Sequence, residues 1–151
     1  MGIHYFEDFH VGDTFDLGSI QVTEEEILAF ARQFDPQPFH IDPERAKDSI
    51  FHGLVASGWH TASLFMRLLA DGLLRETISI GSPGVDEVRW RNPVRPGDRL
   101  RATLTVLECN PSRSRPSMGI VRSACEMVNQ KGEVVLTLLG IHFFGRRPAN
   151  L

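Results

Sequence analysis

The sequence of 151 residues is poor in cysteine and has no long run of lysine or arginine. Its two cysteines, Cys109 and Cys125, lack metal-ligand spacing and lie in strand-like sequence, which favours reduced thiols over a disulfide framework. We therefore expect a cytoplasmic location. The formal net charge is −3. Without basic runs, this charge does not favour nucleic acid or an anionic membrane surface as a partner.

Long apolar runs are also missing from the sequence. No stretch approaches the roughly 18 uninterrupted apolar residues of a membrane-spanning helix. The first residues, MGIHYFEDFHVGD, have acids where a secretory signal would have basic and apolar segments. We therefore expect no membrane partner. The length predicts one domain, residues 1–151, with enough chain to bury a sizeable core.

The first half of the chain carries helical signals. TEEEILAFARQF (23–34) opens with the Thr-x-x-Glu pattern of a capping box and repeats apolar residues at helical spacing. The proline after Asp35 disfavours helical backbone there, so we expect an extended chain through residues 37–39. A short helix is predicted within IDPERAKDS (41–49), with its aspartate as N-cap and its proline at the first helical position. A mostly buried helix is predicted over residues 57–75.

The second half alternates apolar and polar residues. Four strand-like runs are GVDEVRWRNPV, DRLRATLTVLEC, MGIVRSACEMVNQ and EVVLTLLGIHFFG, with turn signals at VRPGD and NQKGE. A further strand is predicted at TFDLGSIQV, before the first helix. Early helices followed by an antiparallel meander predict an α+β fold, in which one antiparallel sheet wraps around the buried helix.

The segment DPQPFH fixes an acid and a histidine five residues apart, with two prolines between them. A carboxylate and an imidazole held together in a partly dry cleft can take and give a proton, and the prolines limit the entropy lost in holding them. Asp35 and His40 are therefore candidates for an acid–base pair. By itself, this spacing more often reflects an aspartate that ends a helix and an incidental loop histidine.

A second candidate site precedes the buried helix. Gly58, in GLVASGWH, would present an unobstructed backbone N–H at a helix N-terminus, whose partial positive charge favours an oxygen such as that of a thioester. Glycine at this position would equally allow the helix to pack closely under the sheet. The residue types leave both interpretations open.

Three blocks of this sequence resemble the MaoC-like dehydratase family of hot-dog-fold proteins, which includes (R)-specific enoyl-CoA hydratases. The blocks are FARQFDPQPFHID, FHGLVASGWHTASLFMRLL and VRWRNPVRPGDRLRATLTV. The resemblance runs from about Phe6 to about Phe144. It implies that Asp35 and His40 are catalytic and that the N–H of Gly58 stabilises an oxyanion.

The resemblance further implies a hydro-lyase that adds or removes water across the C2–C3 bond of an acyl thioester. It implies a homodimer, or a multiple of dimers, with an acyl-CoA or an acyl carrier protein thioester as substrate. No metal or redox cofactor is implied, and coenzyme A enters only as part of the substrate. A common family motif has Asn two residues after the Asp, where this chain has Gln37.

Six residues are candidates for substrate contacts. They are Phe39, Ser57, Trp59, Arg89, Arg91 and Arg95. The three arginines alternate around one predicted strand, so they would share a face and meet the phosphates of coenzyme A, although a solvated strand face explains them as well. Phe39 and Trp59 would line an acyl pocket or belong to the core. Ser57 adjoins Gly58 at the start of the buried helix.

Two other functions remain open for the same fold. A hot-dog thioesterase places a water-directing acid on the central helix, whereas this helix has no acid before Asp71. A non-catalytic acyl-thioester binding module would not need Asp35, His40 and Gly58 together. A metal site is not expected, because no HExxH-like spacing places two ligands on one helical face. The side chains considered for such a site are His40, Asp42, His52 and His60.

Overall fold

The computed structural model describes residues 2–150. Its helices are α1 (Glu24–Phe34), α2 (Pro38–Ile41), α3 (Pro43–Ala46) and α4 (Gly58–Gly72), with 3₁₀ turns at Phe6–Asp8 and Leu74–Glu76. Its strands are β1 (Thr14–Gln21), β2 (Ser79–Gly81), β3 (Val85–Trp90), β4 (Arg99–Pro111), β5 (Met118–Val128) and β6 (Val134–Gly145). Among residues 2–150, no helix combines the length and the apolar character that crossing a membrane requires.

The strands form one six-stranded antiparallel sheet in the order β1-β4-β5-β6-β2, and β3 also pairs with β6. The α+β prediction, an antiparallel sheet around a long helix in the hot-dog arrangement, is confirmed. The meander prediction is correct for β4, β5 and β6 but wrong for β3. Both sides of β4 are occupied, by β1 and β5, so β3 pairs with the remaining edge of β6.

The strand β2 was not predicted, because three residues are too few to show an alternating pattern. It lies along β6 just before β3, and the two together form one interrupted edge of the sheet. The pairing shifts register between Asp86 and Arg89, where Glu87 has a left-handed φ of 51°. The edge is therefore irregular, and β3 has no strand on its outer side within residues 2–150.

The helix α4 fills the inner face of the sheet, as predicted for the buried helix. Its buried apolar side chains join the core residues of the central strands; the helix contributes Leu64, Phe65, Leu68 and Leu69, and the strands contribute Leu104, Met127, Leu136 and Leu138. Near its end, Gly72 lies against β1, where an added Cβ would be 2.6 Å from the carbonyl oxygen of Leu17. Only glycine allows this close approach.

The helix signals of the first half are confirmed at α1 and α3. Thr23 Oγ1 accepts the N–H of Glu26 at 3.2 Å, which caps α1. Asp42 caps α3. The extended chain predicted for residues 37–39 is wrong, because α2 begins at Pro38. Proline is well tolerated at the first position of a helix, where an N–H would lack an intrahelical acceptor. Only Gln37 is extended.

Candidate active site

The structure brings Asp35 and His40 together. Asp35 lies at the end of α1 and His40 in the single turn of α2, and His40 Nε2 is 3.4 Å from Asp35 Oδ2. Their side chains are 19% and 8% exposed, respectively, so the contact is mostly shielded from water. The turn of α2, which the sequence did not indicate, is what points the imidazole inward.

The backbone fixes which nitrogen of His40 carries a proton. His40 Nδ1 lies 2.6 Å from the carbonyl oxygen of Val55, and a carbonyl only accepts, so Nδ1 donates. Val55 is itself held by α2, since its N–H donates to the carbonyl of Phe39 at 3.1 Å. In the neutral imidazole, Nε2 therefore presents a lone pair to Asp35. Two acceptors that face each other can share a proton or bind a water that donates to both.

The carboxylate of Asp35 is held in its ionised form. Burial raises the pKa of this group, but hydrogen bonds from the side chains of Gln37 and Ser57 and the proximity of His40 outweigh burial and leave the pKa below its ordinary value. Gln37 Nε2 donates to Asp35 Oδ1 at 2.7 Å, on the oxygen that does not face His40. At neutral pH the site therefore holds an anionic base beside an imidazole.

The N-terminus of α4 lies at the same site. Ser57 is fully buried, and its Oγ accepts the N–H of Trp59 at 3.3 Å. Among residues 2–150, the N–H of Gly58 has no hydrogen-bond acceptor. The indole of Trp90 lies directly against Gly58, where it would collide with an added Cβ. This contact was not predicted, because β3 is far from α4 along the chain.

A cavity of about 360 Å³ lies beside these groups, although Asp35 and Ser57 are not among its lining residues. His40 and Gly58 both line it, together with Phe39, Thr61, Trp90 and Arg91 among others. Phe39 meets the ring of His40 edge-on, with centroids 4.5 Å apart. The cavity thus combines a basic nitrogen, an aromatic wall and a free backbone donor, which is the arrangement needed to bind a polarised carbonyl next to a proton-transfer group.

The three predicted arginines do not lie on one strand. Because β3 ends at Trp90, Arg91 and Arg95 lie in the segment that follows it, and the shared-face prediction is wrong. Arg91 Nε donates to Thr137 Oγ1 at 3.1 Å, and Arg95 Nη2 donates to the carbonyl of Phe51 at 2.7 Å. Of the three, only Arg91 lines the cavity. Their contact with substrate phosphates stays a prediction, as does that of Ser57.

A second cavity, of about 310 Å³, lies between α4 and the β2–β3 edge, and its lining is mainly apolar. Trp59 lines this second cavity and is 62% exposed, so it is not a core residue. Its ring meets that of Trp90 in a T-shaped contact with centroids 5.2 Å apart. His142, which sequence reasoning missed, also lines this cavity. Its position was readable, because it alternates in phase with buried residues of β6.

The residues considered for a metal site are not grouped. Among residues 2–150, no set of three or more His, Cys, Asp and Glu side chains is placed to hold a metal ion. His60 stacks on Phe30, with ring centroids 4.9 Å apart, and burial lowers its pKa. Its Nδ1 is buried without a hydrogen-bond partner in the part of the chain that the structure describes.

Comparison with known proteins shows which proteins this chain resembles. A family model described as a MaoC like domain matches residues 8–127. The YdeM protein of Bacillus subtilis is 32% identical over 126 residues, covering 83% of this chain and 87% of YdeM. An (R)-specific enoyl-CoA hydratase of Rhodospirillum rubrum is 30% identical over 117 residues, covering 74% of this chain and 75% of that protein. The crystal structure of a MaoC-like dehydratase from Rhodospirillum rubrum is 45% identical, with a TM-score of 0.88 and coverage of 96% and 99%.

Proposed function

The chain belongs to the MaoC-like dehydratase family, and on that premise we propose that it adds water to, or removes water from, the C2–C3 bond of an acyl thioester. The observation that carries this proposal is the Asp35–His40 contact of 3.4 Å beside the free N–H of Gly58. We assign the acid–base role to Asp35 and His40 and the oxyanion role to Gly58.

The protonation states suggest how the pair works. A water that donates to Asp35 Oδ2 and His40 Nε2 is activated for attack on C3 of a 2-enoyl thioester. Asp35 starts ionised and His40 Nδ1 donates to the Val55 carbonyl, so neither of these two groups supplies a proton to the substrate. The proton taken from the water is therefore the one delivered to C2. Water oxygen and proton both reach the substrate, and the pair returns to its starting state.

Negative charge builds on the thioester oxygen during this addition. The Gly58 N–H at the start of α4 is the donor available to that oxygen, and loss of a single such donor costs roughly 3–4 kcal/mol in other enzymes. The indole of Trp90 covers Gly58. Trp90 is 44% exposed, so its side chain has room to turn away when a substrate approaches.

We propose a second copy of this chain as the protein partner. The outer edge of β3 has no strand partner within residues 2–150, and exposed apolar side chains lie beside it: Val85 and Trp90 on the strand, Trp59 and Met66 on α4. An open strand edge next to an apolar surface favours pairing with another chain. The substrate carrier is coenzyme A or acyl carrier protein, with Arg91 closest to the cavity. The free thiols of Cys109 and Cys125 support a cytoplasmic location.

The decisive experiment is turnover of a panel of enoyl-CoAs, followed by loss of the conjugated thioester absorbance, with chiral analysis of the product. We expect hydration by the wild-type chain and by Asp48→Asn, a control with an exposed carboxylate away from the site. Asp35→Asn should be strongly impaired. No turnover of short, medium, branched or dicarboxylic members would favour a binding module, and release of free coenzyme A without hydration would favour a thioesterase.

A further inference from the structure

The second cavity lies next to the active-site cavity, on an adjoining face of α4. Alternating residues of α4 line the two, with Gly58 and Thr61 in the first cavity and Trp59 and Ala62 in the second. An acyl chain whose thioester reaches Gly58 would extend past these residues of α4 into the second cavity. The T-shaped contact of Trp59 and Trp90 lies where the two linings meet, since Trp90 lines the first cavity and Trp59 the second.

A buried polar group interrupts the apolar lining of the second cavity. His142 is 8% exposed and lines the cavity, and its Nε2 lies 2.8 Å from the Oγ of Ser123, which is fully buried. Cys125 Sγ lies 3.4 Å from the same Oγ. A buried imidazole with a dedicated serine partner costs more to bury than an apolar residue, so its presence in this lining calls for an explanation.

The free side of this imidazole is available to a ligand. His142 Nδ1 has no hydrogen-bond partner among residues 2–150, yet it is not sealed from solvent as His60 Nδ1 is. The serine and the thiol lie behind the ring, on the sheet. When Ser123 donates to Nε2, the neutral ring carries its proton on Nδ1 and can donate it to an acceptor in the cavity.

Gly140 leaves space in the sheet for the contact between His142 and Ser123. Gly140 lies opposite Ser123 on β6, and a Cβ there would be 2.7 Å from His142 Nε2 and 2.8 Å from Ser123 Oγ. Any side chain at residue 140 would therefore separate the imidazole from the serine. The hydrogen bond between His142 and Ser123 therefore depends on glycine at residue 140.

From this arrangement we infer that the second cavity selects acyl chains that carry an uncharged oxygen, a hydroxyl or a keto group, which hydrogen-bonds to His142. The inference rests on the proposed function, since it takes the occupant to be the acyl part of the thioester substrate. His142 is a specificity-determining residue in this view, and Ser123 is a positioning residue that fixes the orientation of the ring.

The charge of the site favours an uncharged group over a carboxylate. Burial lowers the pKa of His142 to about 4, so the ring is neutral at physiological pH. The cavity lining holds no Lys, Arg, Asp or Glu among the described residues. A carboxylate would therefore lose its hydration without a cation to replace it, whereas a hydroxyl or carbonyl needs one hydrogen bond.

Binding of saturated acyl-CoAs tests this inference separately from catalysis, because these ligands have no double bond to hydrate. Calorimetry with the full chain would compare acyl groups of matched length that end in a methyl, a hydroxyl or a carboxylate, over a series of lengths. At the length that reaches His142, we expect the hydroxyl ligand to bind about tenfold more tightly than the methyl ligand. The carboxylate ligand should bind more weakly than both.

Variants of His142 and Ser123 test whether these residues cause the preference for the hydroxyl ligand. His142→Phe keeps an aromatic ring beside Phe144 and should abolish the hydroxyl preference, while methyl-ligand affinity is kept or improved. Ser123→Ala should weaken the preference. His10→Phe and Ser117→Ala, at exposed residues that do not line this cavity, are the matched controls. If His142→Phe does not fold, Ser123→Ala and the wild-type ligand series still decide the matter.

The outcomes separate the two proposals. Equal binding of methyl and hydroxyl ligands at every length, or tightest binding of the carboxylate, overturns the inference even if enoyl-CoAs are hydrated. A hydroxyl preference that persists in His142→Phe overturns the assignment to this residue. A hydroxyl preference that needs His142, in a chain that hydrates no enoyl-CoA, supports the cavity inference and removes the proposed hydratase activity.

Discussion

The two cavities along α4 each contain a buried histidine, and the partners of these histidines differ. His40 has Nδ1 committed to a backbone carbonyl and turns Nε2 to a carboxylate. His142 has Nε2 hydrogen-bonded to a serine and lines a mainly apolar cavity. The same side chain thus faces an ionised carboxylate in one cavity and a mainly apolar lining in the other.

This difference shows that burial alone does not determine which partners a histidine has. Both rings are similarly buried, at 6% and 8% exposure. What separates them is the group facing the free nitrogen: an ionised carboxylate favours proton transfer, whereas an apolar lining leaves only hydrogen bonding to a ligand. Changing each histidine should therefore affect a different quantity, turnover for His40 and ligand preference or pH-dependent stability for His142.

The largest expected effect is on turnover. Asp35→Asn and His40→Gln should each lower kcat by at least about 10²-fold, since general acid–base catalysis contributes about that much or more. The double variant should lose little beyond the worse single variant, because the two groups act as a unit. Steady-state kinetics on the best enoyl-CoA would measure this.

His142→Phe is the matched comparison for that experiment, because it changes the other buried histidine. It should retain kcat within a few-fold on an unsubstituted acyl chain. Near-wild-type turnover in Asp35→Asn or His40→Gln would remove the altered residue from the proposed mechanism, provided circular dichroism shows an intact fold.

The sequence predicted the first cavity far better than the second. Its helix caps and prolines are local signals, so Asp35, His40 and the start of α4 were identifiable from short stretches. The contacts of Trp90 with Gly58 and of His142 with Ser123 depend on pairing between distant strands. In particular, β3 pairs with β6 across a large sequence separation, and no local pattern distinguishes that edge from the edge of β4.

The next largest expected effect is on how the free energy of unfolding depends on pH. Burial lowers the pKa of His142 from the ordinary 6.5 to about 4, so the unfolded chain binds a proton there at pH values where the folded chain does not. The contribution of the neutral, buried His142 to the free energy of unfolding is therefore fully present above about pH 6.5. It is lost as the pH falls towards 4. The loss attributable to His142 should reach about 3 kcal/mol, as an upper limit.

Urea unfolding at a series of pH values measures this dependence. His142→Phe should flatten the curve between these pH values, whereas His10→Phe, with an exposed side chain, should leave its slope unchanged. An unaltered slope in His142→Phe would show that the imidazole is solvated in the folded chain, against its buried placement in the second cavity. The buried His60 contributes in the same direction and remains in both variants.

A smaller effect is expected at Gly58. Gly58→Ala keeps the backbone N–H but places a methyl where the indole of Trp90 lies, and the partly exposed indole can turn outward. Activity should fall by more than about tenfold because the methyl obstructs the thioester oxygen, while the melting temperature changes little. Gly53→Ala, whose Cβ would make only an ordinary contact of 3.5 Å with Arg95, is the control.

The contact with Trp90 makes one further variant necessary at this position. If the methyl acted only by displacing the indole, Trp90→Ala would reproduce the loss of activity, and adding Gly58→Ala would then have no effect. We expect the double variant to lose further activity relative to Trp90→Ala. A destabilised but fully active Gly58→Ala variant would end the oxyanion assignment and leave close packing as the role of this glycine.

The smallest expected effect is on the pKa of Asp35, the carboxyl group that faces His40. Gln37 donates to Asp35 Oδ1 at 2.7 Å and helps to hold the pKa of that carboxyl below its ordinary value. Gln37→Ala removes this donor, so the pKa of Asp35 should rise. Activity that requires the carboxylate is present above this pKa and is lost as the pH falls through it. The acid limb of the kcat/KM profile should therefore move to higher pH, by less than about one unit. Gln33→Ala, on the exposed side of α1, should leave the limb in place. A limb that stays in place or moves to lower pH would show that the Gln37 hydrogen bond does not hold down the pKa of Asp35.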